Sequence, residues 1–201
     1  HIHSFPTRRS SDLDALGADF SRVMGMMRDR LGANALPIQL PIGGEDSFVG
    51  MVDLVREVAI VYLDQDGKAV EEREVPADML GEVRSARHEL IENVAMHDEE
   101  FMMRYLEGEE LSPAEVMAAL RKAVLVGGII PVLCGSSYRN KGVQSLLDAI
   151  VDYLPSPLDL PPVVGLIPRS EEETTRQPSD AEPFSALAYK IVSDPIVGKL
   201  A

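Results

Sequence analysis

The sequence predicts an α/β fold, and two kinds of pattern support that prediction. In several segments apolar residues recur at three- and four-residue steps, which is the spacing of one buried helix face. Residues 129–134 are instead a short, wholly apolar run between two such segments, as expected of a strand buried on both faces. A length of 201 residues allows one or two domains with a sizeable core.

The first and last helical patterns flank the rest of this fold. The first has an apolar face of six residues, Leu16, Phe20, Val23, Met24, Met27 and Leu31. It should end at 32–34, because Gly and Asn are typical of helix C-termini. The last covers 143–154, where apolar residues again keep helical spacing until Pro155 and Pro157 end it.

Three helices are expected between these two. One should begin at Pro76, since proline is tolerated in a first helical turn, and it should continue to about Val94. Another follows Asp98 and ends at Gly108. The third begins at a capping box, 112–115, in which proline occupies the first helical position.

Strands are predicted between the first two helices. Residues 35–42 are apolar but contain two prolines, which favours an edge strand. Residues 48–55 and 58–63 have strand composition, and 64–68 form a loop with an Asp-Gly turn. Residues 69–75 can then pair back after this turn.

The composition changes near the C-terminus. Residues 155–183 contain seven prolines and an acidic run but few apolar residues after Ile167. We therefore expect a linker between domains over 158–183. Residues 184–192 alternate loosely, like a strand that opens a new β domain.

The charge of the chain is strongly negative. The formal net charge is −14, which argues against a nucleic-acid clamp because such a clamp needs a basic face. Between Glu71 and Glu115 fourteen Asp and Glu residues stand against four Arg and no Lys. This concentration fits either a solvated acidic surface or a docking surface for a basic protein.

The sequence lacks the motifs that are typical of most enzyme classes. No GxxxxGK[ST] phosphate loop is present, and nothing singles out an acid/base pair of carboxylates. His88 and His97 are nine positions apart, so one helix face cannot bring both to a metal. Cys134 has no neighbouring base, and we expect a small buried apolar side chain. We predict no catalytic residue and no metal ligand in this chain.

The cysteine count and the length of the apolar stretches indicate the cellular compartment. A single cysteine excludes an internal disulfide, and no apolar stretch reaches the length of a membrane span or a signal peptide. We therefore expect a cytoplasmic protein.

Residues 1–13 differ from the rest of the chain. They have neither helical nor strand periodicity, and they place two Arg in an otherwise acidic protein. Residues 3–13 also match, in one reading frame, the translation of a widely used DNA sequencing adapter. We interpret 1–13 as an assembly artefact or, alternatively, a disordered tail, and we leave it out of the fold prediction.

From Asp14 onward the chain resembles the elongation factor G family of translational GTPases. The resemblance rests on an ordered series of short motifs: 17–20 (GADF), 31–34 (LGAN), 50–54 (GMVDL), 105–111 (YLEGEEL), 135–137 (GSS), 140–144 (NKGVQ), 146–150 (LLDAI), 152–157 (DYLPSP) and 182–188 (EPFSALA). They occur in the family's order and spacing over essentially the whole of 14–201.

The resemblance implies a domain organisation. Residues 14–35 and 128–157 would be the C-terminal part of a P-loop GTP-binding domain, and 36–127 an acidic α+β subdomain inserted into it. Residues 184–201 would hold the first strand of a β-barrel domain. The phosphate loop, both switch regions and the Mg²⁺ ligands of the family have no counterpart in this sequence.

The resemblance also implies a partial guanine site. Ser136, Ser137 and Tyr138 match the family's fifth nucleotide motif, although the family more often has Ser-Ala there. Asp14 matches the aspartate that accepts hydrogen bonds from the guanine ring, while Ser11 and Asp12 stand where the family has Asn and Lys. GTP and Mg²⁺ are thus cofactors implied for a longer parent protein, and we predict neither GTP binding nor hydrolysis by this chain alone.

In this family the inserted subdomain contacts the ribosome through the C-terminal domain of the stalk protein. The acidic residues that would form this contact here are Glu82, Glu89, Glu92, Glu99 and Glu100. We expect no membrane contact and no direct nucleic-acid contact. Two alternatives stay open: a stand-alone acidic α/β module that binds a basic protein, and a mitochondrial or second-copy translational GTPase with the same fold.

Overall fold

The fold is taken from a computed structural model, which describes residues 12–167, 169–186, 192–194 and 198–200. The chain divides into two compact units, 1–154 and 155–201. Helices and several sheets are mixed along the described residues, so the coarse prediction of an α/β fold is confirmed.

Five α-helices lie within the described residues of the first unit. They are α1 (Phe20–Leu31), α2 (Leu80–Ala95), α3 (Glu99–Leu106), α4 (Pro113–Leu125) and α5 (Val143–Tyr153). Asp19 and Asp98 cap α1 and α3 by accepting backbone N–H groups, and the predicted capping box starts α4. Gly32 ends α1 in the left-handed conformation, as its sequence predicts.

Two predicted helix starts are wrong by about one turn. Leu16 lies before the cap of α1 and is 85% exposed, because Gly17 at φ 78° breaks the backbone ahead of Asp19. Pro76 does not begin α2; its carbonyl accepts the N–H of Met79 in a tight turn, and the helix follows. Proline suits the start of such a turn as well as it suits a helical turn.

Six strands form two sheets in the first unit. They are β1 (Ala35–Pro37), β2 (Gln39–Ile42), β3 (Gly50–Asp53), β4 (Val58–Tyr62), β5 (Val70–Arg73) and β6 (Ile130–Val132). Strand β1 pairs in parallel with β6, whereas β2-β3-β4-β5 form an antiparallel meander in that order. The predicted strands at 48–55 and 58–63 and the pairing back of 69–75 are therefore confirmed.

The predicted edge strand 35–42 is in fact two strands in two sheets. Ile38 is the joint: it donates its N–H to Val132 and accepts the N–H of Leu54. Only the second half, β2, is an edge strand of the meander. The two sheets are thus connected through one residue.

Strands β3 and β4 bury side chains on both faces of the antiparallel sheet, whereas β5 is exposed. Val52 and Leu54 belong to a core with Leu90 of α2 and Leu120 of α4. Met51, which points to the opposite face because side chains alternate along a strand, belongs to a second cluster, Leu13, Phe48, Met51, Ile60, Tyr62 and Cys134. This second cluster joins the sheet to the loop that follows β6.

The prediction that 129–134 are buried on both faces is only partly correct. Ile129 and Cys134 are buried, but Ile130 is 47% exposed. Within the described residues β6 pairs with β1 alone, so its two-stranded sheet has too few neighbours to cover both faces.

The second unit contains a hairpin inside the predicted linker. Strands β7 (Val163–Leu166) and β8 (Glu173–Arg176) pair antiparallel, and neither strand contains a proline. Strands β9 (Val192–Asp194) and β10 (Gly198–Leu200) form another antiparallel pair. The predicted strand 184–192 is not seen at 184–186, and 187–191 lie outside the described residues. No helix among the described residues is long and apolar enough to cross a membrane.

Candidate functional site

The loop between β6 and α5, residues 134–142, folds back on itself. Ser136 and Lys141 exchange backbone hydrogen bonds of 2.8 and 2.9 Å, and Asn140 donates its N–H to the carbonyl of Ser137. A Cβ at Gly135 would lie 2.5 Å from the Lys141 carbonyl oxygen, so only glycine allows this closure. The loop is therefore a fixed platform that follows a parallel strand, a place where α/β folds bind ligands.

Residues 12–14 lie directly against this platform. Leu13 donates its N–H to the Gly135 carbonyl at 3.0 Å, and Asp12 forms a β-bridge with Ser136. On its other side the Leu13 carbonyl accepts the N–H of Glu45 at 2.8 Å. The segment is thus held between the platform and the connection from β2 to β3.

The carboxylate of Asp12 binds the first donors of the platform. It accepts the Ser137 hydroxyl at 3.0 Å and the Tyr138 backbone N–H at 3.2 Å. Asp14 points to the other end of the loop and pairs with Arg139, whose Nε is 3.3 Å from Oδ2. Of the four residues predicted for the guanine edge, Ser136, Ser137 and Tyr138 lie in the platform, and Asp14 contacts the same loop through Arg139. Tyr138 is 83% exposed.

Asp12 and Leu13 have a role that their sequence pattern does not predict. Both were assigned to the tail, but both are buried, at 8% and 6% exposure. A usable indication was the apolar Leu13 between two aspartates, which has the alternation of a half-buried strand. The folded part therefore begins at or before Asp12; residues 1–11 lie outside the described residues.

Ser136 is the most deeply buried polar residue of the site. Its side chain is fully buried, and its Oγ has no hydrogen-bond partner among the described residues. A buried hydroxyl without a partner costs roughly 1–3 kcal/mol. Such a cost marks a group worth testing for a ligand contact.

The antiparallel sheet and the segment before β3 also contact the platform. The Tyr62 hydroxyl accepts the N–H of Gly142 at 2.7 Å, and Lys141 donates to the Phe48 carbonyl at 3.3 Å. Burial raises the pKa of Tyr62, so its phenol stays neutral. Cys134 is buried, as its sequence predicts, and burial raises the pKa of its thiol to about 12.

The five predicted stalk-contact residues are all exposed. Glu82, Glu89 and Glu92 lie on α2, and Glu99 and Glu100 form the first turn of α3. Glu89 pairs with Arg28 at 3.1 Å, and Glu92 lies 3.3 Å from Nε2 of His88. No group of three or more His, Cys, Asp or Glu among the described residues is arranged to hold a metal ion.

The fold of this chain is similar to parts of solved structures. No family model matches the chain. Among solved structures it is similar to ttk003000868 from Thermus thermophilus, with a TM-score of 0.68 and 29% sequence identity. The similarity covers 91% of this chain but only 24% of the Thermus protein. The chain thus shares its fold with about a quarter of a much longer protein.

Proposed function

We propose that this chain is an internal part of a translational GTPase of the elongation factor G type and contributes the guanine edge of its nucleotide site. The proposal rests on the motif series from 14 to 201 and on one observation from the structure. Asp14 and the platform are more than a hundred positions apart in sequence, yet Asp14 is in contact with Arg139 of the platform. A carboxylate beside a loop of backbone N–H groups can read the N–H and carbonyl groups of guanine together.

The described conformation keeps these groups occupied. Asp12 accepts the donors of Ser137 and Tyr138, and Arg139 holds the carboxylate of Asp14. A guanine base would have to replace both sets of contacts. This adds to the absence of a phosphate-loop motif as a reason to expect no GTP binding by the 201-residue chain.

The nucleotide proposal is tested in the longer reading frame that would contain this chain. Asp14→Asn should abolish GTP binding and favour xanthosine triphosphate, because xanthine carries a carbonyl where guanine carries an amine. Asp159→Asn, in the second unit, is the matched control and should leave guanine selectivity unchanged. Unchanged guanine selectivity in Asp14→Asn would refute the assignment of this residue.

We propose in addition that the acidic surface of α2 and α3 binds the C-terminal domain of the ribosomal stalk protein. Exposure of all five glutamates supports this, since charge complementarity mainly raises the association rate. Glu89→Lys with Glu92→Lys should slow association with the isolated stalk domain by about tenfold at low salt. Glu171→Lys with Glu172→Lys makes the same charge change elsewhere and should have little effect.

The second candidate function is a stand-alone acidic module for a different basic protein. The same exposed glutamates favour it, but it requires no guanine edge. Upstream genomic sequence distinguishes the two proposals: a continuous frame that encodes a phosphate loop supports the GTPase. A start codon directly before Asp12 or Asp14 supports the module.

A further inference from the structure

A cavity of about 440 Å³ lies within the first unit, away from the platform. Its polar wall consists of Asp53, Arg56, Glu72, Asp148, Asp152 and Tyr153. Val55, Met117 and Leu133 contribute an apolar wall. The volume is in the range of small-molecule sites, which hold roughly 300–1,000 Å³.

Four carboxylates and one guanidinium give the cavity a strongly negative lining. Arg56 already forms two ion pairs within the lining. Its Nε is 3.1 Å from Asp53, and a terminal nitrogen is 2.7 Å from Glu72. Asp53 also accepts the backbone N–H groups of Val55 and Arg56. Among the described residues Asp148 and Asp152 form no ion pair, so their charges are left for a ligand.

The positions of Asp148 and Asp152 oppose the stability of α5. They are four residues apart, so they occupy one helix face and repel each other. Asp152 also lies in the last turn, where the helix dipole disfavours negative charge. Arg121 offsets the dipole effect by donating to the Asp152 backbone carbonyl at 2.7 Å, but the repulsion between the two carboxylates remains, and such broken local rules are typical of functional positions.

Tyr153 gives an independent indication of a ligand. The residue is only 5% exposed, it lines the cavity, and its hydroxyl makes no hydrogen bond among the described residues. Burial, and then the charges of Asp53 and Asp152, raise its pKa, so the phenol stays neutral. A neutral phenol oxygen can accept an N–H donor from a cation, and the ring can pack against it.

We propose that this cavity binds an aliphatic polyamine. Ammonium groups would pair with Asp148 and Asp152 and donate to Tyr153, while methylene groups would pack on Val55 and Met117. A metal ion fits less well, because no three metal-ligating side chains among the described residues converge on one point. The inference does not depend on the proposed GTPase.

The test is calorimetric titration of spermidine into the full chain, at low salt and at about 150 mM NaCl. At the higher salt the Debye length is about 8 Å, so charges farther apart than this are largely screened from each other. Saturable binding to one site is expected. Asp148→Asn with Asp152→Asn should weaken it at least about tenfold, because both free carboxylates are lost. Tyr153→Phe should weaken it about threefold by removing one hydrogen bond.

Glu171→Gln with Glu172→Gln is the control, since it removes the same charge from the second unit and should leave the affinity unchanged. Far-UV circular dichroism verifies that each variant folds; if the double Asp variant unfolds, Tyr153→Phe decides. Equal weakening in the control variant would mean diffuse counterion binding and overturn the proposal. Absence of saturation, or displacement of spermidine by Mg²⁺ at matched ionic strength, would also overturn it.

Discussion

The carboxylate of Asp12 accepts the hydroxyl hydrogen of Ser137 at a distance of 3.0 Å, across 125 positions of sequence. It also accepts the Tyr138 N–H, so one side chain ties the first described strand segment to the platform. This contact organises the site, and its removal can be measured directly.

Asp12→Ala should destabilise the first unit. Two hydrogen bonds to a mostly buried charged group would be lost, which corresponds to about 2–3 kcal/mol in the free energy of unfolding. Urea unfolding followed by circular dichroism measures the change. Asp66→Ala removes an exposed carboxylate in the β4–β5 loop and should cost less than about 0.5 kcal/mol. Equal midpoints for the two variants would contradict the role of Asp12.

Ser136→Ala should leave the chain as stable as before or make it more stable by about 1 kcal/mol. The substitution deletes a fully buried hydroxyl that has no partner among the described residues and leaves the backbone bonds to Lys141 in place. Ser137→Ala, which loses the bond to Asp12, is the comparison and should be destabilising. A marked loss of stability in Ser136→Ala would mean that its hydroxyl has a partner in solution.

The capping box of α4 should lose its charge contribution at acid pH. The Ser112 hydroxyl and then Arg104 lower the pKa of Glu115 to about 2. Since the folded pKa is depressed, this stabilisation is present above the unfolded pKa and is lost as pH falls towards about 2. Thermal melts of the chain and of Glu115→Gln should converge only as the pH approaches about 2. Parallel curves over the whole range would exclude this carboxylate as a cause of acid sensitivity.

Local features were the predictable part of the fold. The start of α4 and the end of α1 follow from residues within one turn, Ser112 and Gly32, so no distant contact had to be known. The division of 35–42 depends on a partner strand about 95 positions away, and periodicity alone contains no such information. The run 35–42 changes sheets at the point where its partner strand changes from β6 to β3, and intrinsic strand propensity does not predict that point.

The site was predictable only in part for a similar reason. The platform follows a parallel strand and precedes a helix, and this order is visible in the sequence. The contribution of Asp12 was not, because its neighbours 1–11 give no periodicity and its partners lie at 136–138. Nor does any short pattern bring Asp53 of β3 to the same cavity as Asp152 of α5.

Tyr62→Phe tests whether the antiparallel sheet stabilises the platform through strand β4. The Tyr62 hydroxyl is the acceptor for the Gly142 N–H, at 2.7 Å, and the contact is buried. Phenylalanine keeps the packing with Met51 and Cys134 but leaves that N–H without a partner, at a cost of about 1–3 kcal/mol. Hydrogen exchange should then accelerate at Gly142 and along 134–141, while α2 and α4 keep their protection. Tyr138→Phe makes the same chemical change on an 83% exposed ring and should alter neither stability nor exchange. If Tyr62→Phe left the hydrogen exchange rate at Gly142 unchanged, the Ser136–Lys141 hydrogen bonds alone would hold the platform. The antiparallel sheet would then not contribute to its rigidity.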